Sequence, residues 1–309
     1  MGQSLLEYHQ KPWYRNGLGE SMEPKANEDL IQKLMEYHKW WVENKLSVYE
    51  KIASKLWPPT GSFLDSLTPV FGTQVEEEEK DGKKYTTLSF TQDTLLTNVV
   101  LLEGLVLHLT AIWEGLVTNT IVVLFAQDTS NYSRRFDYRL EKTMNVHSVD
   151  LARAIVIGDR YLDFRNFDYI KSIERKFLAQ NLRPFSHISD GIQKSIDEMY
   201  ILRNHVAHQS EKSRRDYREK VLVKYKIEYT SSDIPVGEFL LSSPPPDDKN
   251  VPKILRKKDI GLFFDSSGRK RIFEIYIDAL KNASEEVVEY LEKELGKKSK
   301  SALDNKREA

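Results

Sequence analysis

Hydrophobic and polar positions along the chain alternate with the period of an α-helix over four long stretches. In the first, Leu30, Ile31, Leu34, Tyr37, Trp41, Leu46, Tyr49, Ile52 and Leu56 recur at helical spacing. Asn27 is suited to cap that helix and Pro58-Pro59 to stop it, which predicts a helix over residues 27–57. The second, Thr94 to Ala126, is the most apolar segment. Glu103, His108 and Glu114 interrupt every long window in it, so it reads as a buried central helix and not as a membrane span. The third places Ile188, Ile192, Ile196, Met199 and Leu202 on one stripe, with Asp190, Lys194, Asp197 and Glu198 between them. The fourth, Lys270 to Leu295, carries Ile272, Ile275, Ala279, Ala283, Val287, Tyr290 and Leu291 on one side. Gly296 is predicted to end it, leaving residues 297–309 as a charged, disordered tail. Shorter helices are expected around Ser148 to Val156 and Asp168 to Gln180.

Period-two alternation is weaker and local. Thr68 to Val75 and Lys83 to Phe90 predict a hairpin closing on Asp81-Gly82, with Glu76 to Glu79 in a solvated acidic loop. Val221, Val223, Tyr225, Ile227 and Tyr229 alternate like a strand, and Gly237 to Leu241 and Ile260 to Phe264 read as two more. The fold class that follows is mainly α. A helical domain over residues 94–296 holds a small inserted β element at about 220–264, and residues 1–93 form an N-terminal helix-plus-hairpin extension. Trp40 and Trp41 are read as packing residues of the first helix.

Composition narrows the function. The 309 residues include 46 Lys and Arg against 47 Asp and Glu, for a net charge of −1. A near-neutral chain does not wrap nucleic acid by bulk charge, so RNA contact has to come from a local basic patch. There are no cysteines, which removes disulfides and thiolate metal sites and fits a reducing compartment. With no charged-then-apolar leader at the start, the expectation is a cytoplasmic protein without membrane attachment. No metal site and no cofactor are expected.

The third helix breaks its own pattern where it should continue with aliphatics: Tyr200-Ile201-Leu202-Arg203-Asn204-His205-Val206-Ala207-His208-Gln209-Ser210. Asn204 and His208 fall one turn apart on one face, whereas Arg203 and His208 differ by about 140° in a regular helix. Arginine offers a planar fork of donors for phosphate oxygens, and an imidazole titrates near neutrality. RNA supplies its own nucleophile in the 2′-hydroxyl. Its cleavage needs a group to take that proton, a group to protonate the leaving 5′ oxygen, and a cation for the charge on phosphorus. His208 suits acid or base and Arg203 the cation, with Asn204 orienting either. A complete acid–base pair then needs His205 or the His208 of a second chain. Lys212, Arg214, Arg215 and Arg218, with Tyr217 among them, form the densest basic patch and follow the histidines directly, which marks them with His205 as RNA-binding residues. Buried acids need partners, so Glu114 and Glu103 are the carboxylates expected to reach the cluster.

In Arg203-Asn204-His205-Val206-Ala207-His208, after an apolar helix, the chain resembles the HEPN superfamily (higher eukaryotes and prokaryotes nucleotide-binding domain). The resemblance implies a HEPN-like helical bundle. It also implies a metal-independent endoribonuclease that leaves 2′,3′-cyclic phosphate ends, with an active site composed in a homodimer. By the same analogy the protein is a toxin or antiviral defence effector, with an inhibitor or antitoxin protein as a partner, and Glu114 is the acidic residue that supports the motif. One toxin subgroup carries a tyrosine two residues after the histidine; here that position is Ser210. Because the superfamily includes members that bind without cutting, the alternatives are a non-catalytic RNA- or nucleotide-binding module and a helical protein-interaction scaffold.

Overall fold

A computed structural model describes residues 25–56, 73–80, 83–90, 92–136, 149–158, 162, 164–225, 234–242 and 271–307. These are mainly helical, with a single antiparallel hairpin. Helix α1 (Lys25–Trp41) passes through one π-helical stretch, Val42–Leu46, into α2 (Ser47–Leu56). Strands β1 (Thr73–Lys80) and β2 (Lys83–Phe90) pair with Thr73 opposite Phe90 and Lys80 opposite Lys83. Then come α3 (Gln92–Gln127), α4 (Ser130–Phe136), α5 (Val149–Ile157), α6 (Phe167–Phe177), α7 (Asp190–His208), α8 (Glu211–Asp216), α9 (Val236–Leu241) and α10 (Ile272–Arg307).

Helix α3 is the axis of the bundle, and α1, α5, α7 and α9 pack along it. Its length and composition would suit a membrane span, but Leu102, Val106, Leu109, Trp113, Leu116, Val117, Ile121 and Phe125 are buried among these neighbours. Aromatic rings fill the gaps between helices. Trp113 meets Trp41 at 6.3 Å and Phe185 edge-on at 6.0 Å, while Phe125, Tyr132 and Phe177 form a cluster at 5.4–5.5 Å. Aromatic pairs of this kind add about 1 kcal/mol each beyond the area they bury.

The first helix is no loose appendage to this core. Trp41, Leu46 and Tyr49 belong to the same buried cluster as α3 and α10. His38 lies inside, between Thr120 and Ser284, at 2.9 and 2.8 Å. The Thr120 hydroxyl already donates to the Leu116 carbonyl at 2.8 Å. It therefore accepts from His38 Nε2, and Nδ1 is left to accept from Ser284 Oγ. Burial holds the imidazole neutral and pushes its pKa down to about 3.

Four sequence expectations are corrected. Glu76 to Glu79, expected in a loop, belong to strand β1 and lie opposite Thr87 to Lys84 of β2. Residues 220–225 are not strand: Tyr217–Leu222 is π-helix and 223–225 a turn, with Val221 and Tyr225 buried and Val223 exposed. A strand would put all three on one face, whereas Val221 and Tyr225 four residues apart share a helical face. Gly237 to Leu241, also read as strand, lies in helix α9. The rest of the expected insertion, 226–233 and 243–264, lies outside the described residues. Finally, α10 runs through Gly296 to Arg307 where a stop and a disordered tail were expected. One glycine costs a helix only about 1 kcal/mol, and lysines, glutamates and alanines on both sides favour continuation.

Candidate active site at the end of the motif helix

Helix α7 is positioned by two carboxylate contacts, at its start and near its middle. At its start the Ser189 amide donates to Glu286 of α10 at 2.7 Å. Further along, Asp197 accepts the Phe167 amide at 2.6 Å and so caps α6. Ile196, Met199, Tyr200 and Leu202 face the core, which turns Arg203, Asn204 and His208 toward the periphery.

The helix stays regular to His208, so Arg203 and His208 leave the axis about 140° apart within one chain. A side-chain contact reduces that divergence. Arg203 Nη1 donates to Asn204 Oδ1 at 2.9 Å, drawing the guanidinium toward the face that Asn204 shares with His208. Arg203 and Asn204 are half-buried, and His208 is exposed. Directly after it Gln209 adopts a left-handed conformation, φ 45°, and its amide caps the helix on the His205 carbonyl at 3.0 Å. That conformation is costly for a side chain larger than glycine. Ser210 then caps α8 by accepting the Ser213 amide at 3.2 Å, which sends the chain off at an angle.

The other expected site residues divide into two groups. Lys212, Arg214 and Arg215 are exposed on α8, and Arg218 is half-buried at the next turn, forming a basic rim next to His208. His205 turns the other way. Its ring stacks on buried Tyr217 at 4.9 Å and 23°, so it is a packing residue of this chain more than a surface contact.

Glu114 is buried on α3 beside Trp113, whose ring meets Phe185. Glu103, half-buried on the same helix, accepts the Gly237 amide at 3.4 Å.

Two features were missed by reading the pattern. Tyr217 and Tyr225, eight residues apart, would stand about 80° apart in an uninterrupted α-helix; the extra residue of the π-helical stretch takes roughly 100° back and brings them nearly into line. Both rings then meet Phe239 edge-on, at 5.9 and 5.2 Å. Glu198, one of the polar residues set between the apolar positions of α7, is buried and accepts from Lys224, from Tyr225 at 3.4 Å and from Tyr276 at 3.3 Å. No periodicity signals either feature, since both depend on residues more than ten positions apart. Among the described residues no three metal-ligating side chains come together.

Compared with known proteins, the chain matches no family model and has no significant match among curated proteins or solved structures.

Proposed function

We propose that the protein is a metal-independent endoribonuclease of HEPN-like type, acting as a homodimer on RNA. The observation that carries this reading is the row formed by Arg203, Asn204 and His208 on the outer end of α7, with the guanidinium held by Asn204 at 2.9 Å and an exposed basic rim alongside. In the proposed reaction an imidazole takes the 2′-hydroxyl proton, and the 2′ oxygen bonds to phosphorus. The bond from phosphorus to the 5′ oxygen breaks, and a second acid returns a proton to that oxygen. Arg203 balances the charge on the non-bridging oxygens, and Lys212, Arg214 and Arg215 draw in the backbone. A twin His208 supplies the second proton-transfer group, since His205 is engaged with Tyr217.

Incubation of the full chain with mixed RNA in EDTA tests this. Cleavage to 2′,3′-cyclic phosphate ends, abolished in Arg203→Ala and His208→Ala and absent on a 2′-deoxy substrate, is expected; persistence in both variants removes these residues from the mechanism. The regular helix that separates Arg203 from His208 within one chain favours a second reading, a module that binds RNA without turnover. RNA binding without product at any pH between 6 and 8 would select it.

A further inference from the structure

We infer that Glu198 is a positioning residue that locks the segment 211–225 onto the motif helix, and thereby sets where the basic rim stands relative to His208. The inference rests on the RNA-site reading above for its functional consequence, but not for the lock itself.

Glu198, Leu202 and His205 are spaced four and three residues apart, so they share one face of α7. The segment that follows the motif returns along this face and is fastened at two points. At one end the Tyr217 ring lies on His205, at 4.9 Å. At the other, Glu198 Oε1 accepts from Lys224 Nζ, and Oε2 accepts from the hydroxyl of Tyr225 at 3.4 Å. Along the helix these points are about 10 Å apart, enough to fix both the height and the direction of the segment. A third donor, the Tyr276 hydroxyl at 3.3 Å, ties the same carboxylate to α10.

Glu198 thus joins the motif helix, the basic segment and the C-terminal helix through one buried carboxylate. Buried carboxylates are costly unless fully hydrogen-bonded, and this one has three donors. Both tyrosines feel it: burial first, then the Glu198 charge, pushes Tyr225 up to about 12, and burial, then Tyr225 and Glu198, push Tyr276 well above the usual phenol range. The π-helical stretch is part of the same device, because without its extra residue Tyr225 would not face Phe239 and the fastening would be out of register.

The test uses the full chain with Glu198→Gln and, separately, Lys224→Met; Lys224 is half-exposed, so its replacement preserves the fold even if the buried change does not. Hydrogen exchange of amides 211–222 is expected to quicken roughly tenfold in both variants while amides 196–202 of α7 hold their protection. Lys224→Met is expected to add nothing on top of Glu198→Gln, since the two share one interaction. Unchanged exchange of 211–222 in both variants overturns the proposal. RNA is examined apart from the lock. In an Arg203→Ala background, affinity for a single-stranded oligonucleotide is expected to fall about fivefold with a shallower dependence on salt, and in the otherwise native chain KM is expected to rise while kcat stays within about twofold. Faster exchange without any change in RNA affinity upholds the lock and discards the RNA-site reading.

Discussion

The guanidinium of Arg203 is held by the side chain of its own neighbour, Asn204, through a hydrogen bond of 2.9 Å from Nη1 to Oδ1. Adjacent helical residues ordinarily diverge by about 100°, so this bond is what brings the cation toward the His208 face. Replacing Asn204 by alanine frees the arginine to sample other rotamers without removing its charge. Cleavage of a fluorescent RNA in EDTA is expected to slow about tenfold or more, mostly in kcat, since misplacing a charge-stabilising group acts on the transition state. An Asn204→Ala chain that cleaves at the native rate removes the amide from the site.

Within a single chain Arg203 and His208 leave α7 about 140° apart. If both His208 imidazoles meet in one site across a twofold pair, a dimer of one native and one His208→Ala chain holds a single imidazole and does not turn over. Random exchange of equal amounts leaves a quarter of the dimers fully native, so the rate per total chain is expected to fall to roughly a quarter of the native value. A rate that stays near half after verified subunit exchange sinks the composite site.

His205 was expected to touch RNA, but its ring is stacked on Tyr217 at 4.9 Å. A phenylalanine there keeps an aromatic stack, and an alanine leaves a gap. His205→Ala is expected to lower stability by about 1–2 kcal/mol in a denaturant titration, with His205→Phe within about 0.5 kcal/mol of native. RNA affinity unchanged in His205→Phe would confirm packing as the role of this imidazole; a several-fold loss of affinity would restore it to the interface.

Much of this fold was legible because α3, α7 and α10 bury long apolar stripes, and helical period is the strongest signal a sequence carries. The turn after the motif was misread because Val221, Val223 and Tyr225 fit a strand and a helix end equally well over five residues, and only burial against Phe239 decides between them. The motif residues themselves stood out as an interruption of their stripe. Glu198 did not, because it sits where a polar residue belongs on an amphipathic helix and gains its partners from Lys224, Tyr225 and Tyr276, far along the chain. How near an acid such as Glu114 or Glu103 on the 36-residue α3 comes to the motif cannot be read from its local sequence.

Two buried groups set opposite pH trends in stability. Glu174 accepts the Phe185 amide at 2.8 Å and the Ser186 hydroxyl at 2.7 Å, and burial raises its carboxyl from the usual 4.5 to about 7. The folded state therefore holds a proton that the unfolded chain has lost, so its contribution is full below pH 4.5 and disappears as pH rises through 7. His38, lowered from 6.5 to about 3 by burial, works the other way: its contribution is full above pH 6.5 and is lost on acidification. In urea titrations, native stability relative to Glu174→Gln is expected to fall between pH 4.5 and 8 by an amount on the order of 3 kcal/mol. The Glu174→Gln chain itself is expected to weaken steadily below pH 6.5. A native curve parallel to the variant's across this range would refute the Glu174 assignment.

Gly237 is where α9 comes closest to α3. A Cβ built on it would stand 2.2 Å from the Val99 carbonyl oxygen and 2.6 Å from the Val99 Cα, both backbone atoms that cannot swing aside. Its amide also donates to Glu103 at 3.4 Å, so separating the helices would cost that bond as well. Gly237→Ala must therefore lift α9 from α3, and with it Phe239, against which Tyr217 and Tyr225 both rest. The gain in helix propensity, about 1 kcal/mol, is smaller than the cost of overpacking here, and a net loss of about 1–3 kcal/mol is expected. At roughly 3 °C per kcal/mol for a domain of this size, Tm should fall by several degrees. Because the displaced ring backs Tyr217, on which His205 stacks, RNA affinity should fall in the same variant, whereas Gly191→Ala, whose added Cβ meets nothing within 4 Å, should leave Tm at or above the native value. A Gly237→Ala chain as stable as native would show that α9 is free to move, and that the rim beside His208 is not fixed from behind in the way its packing implies.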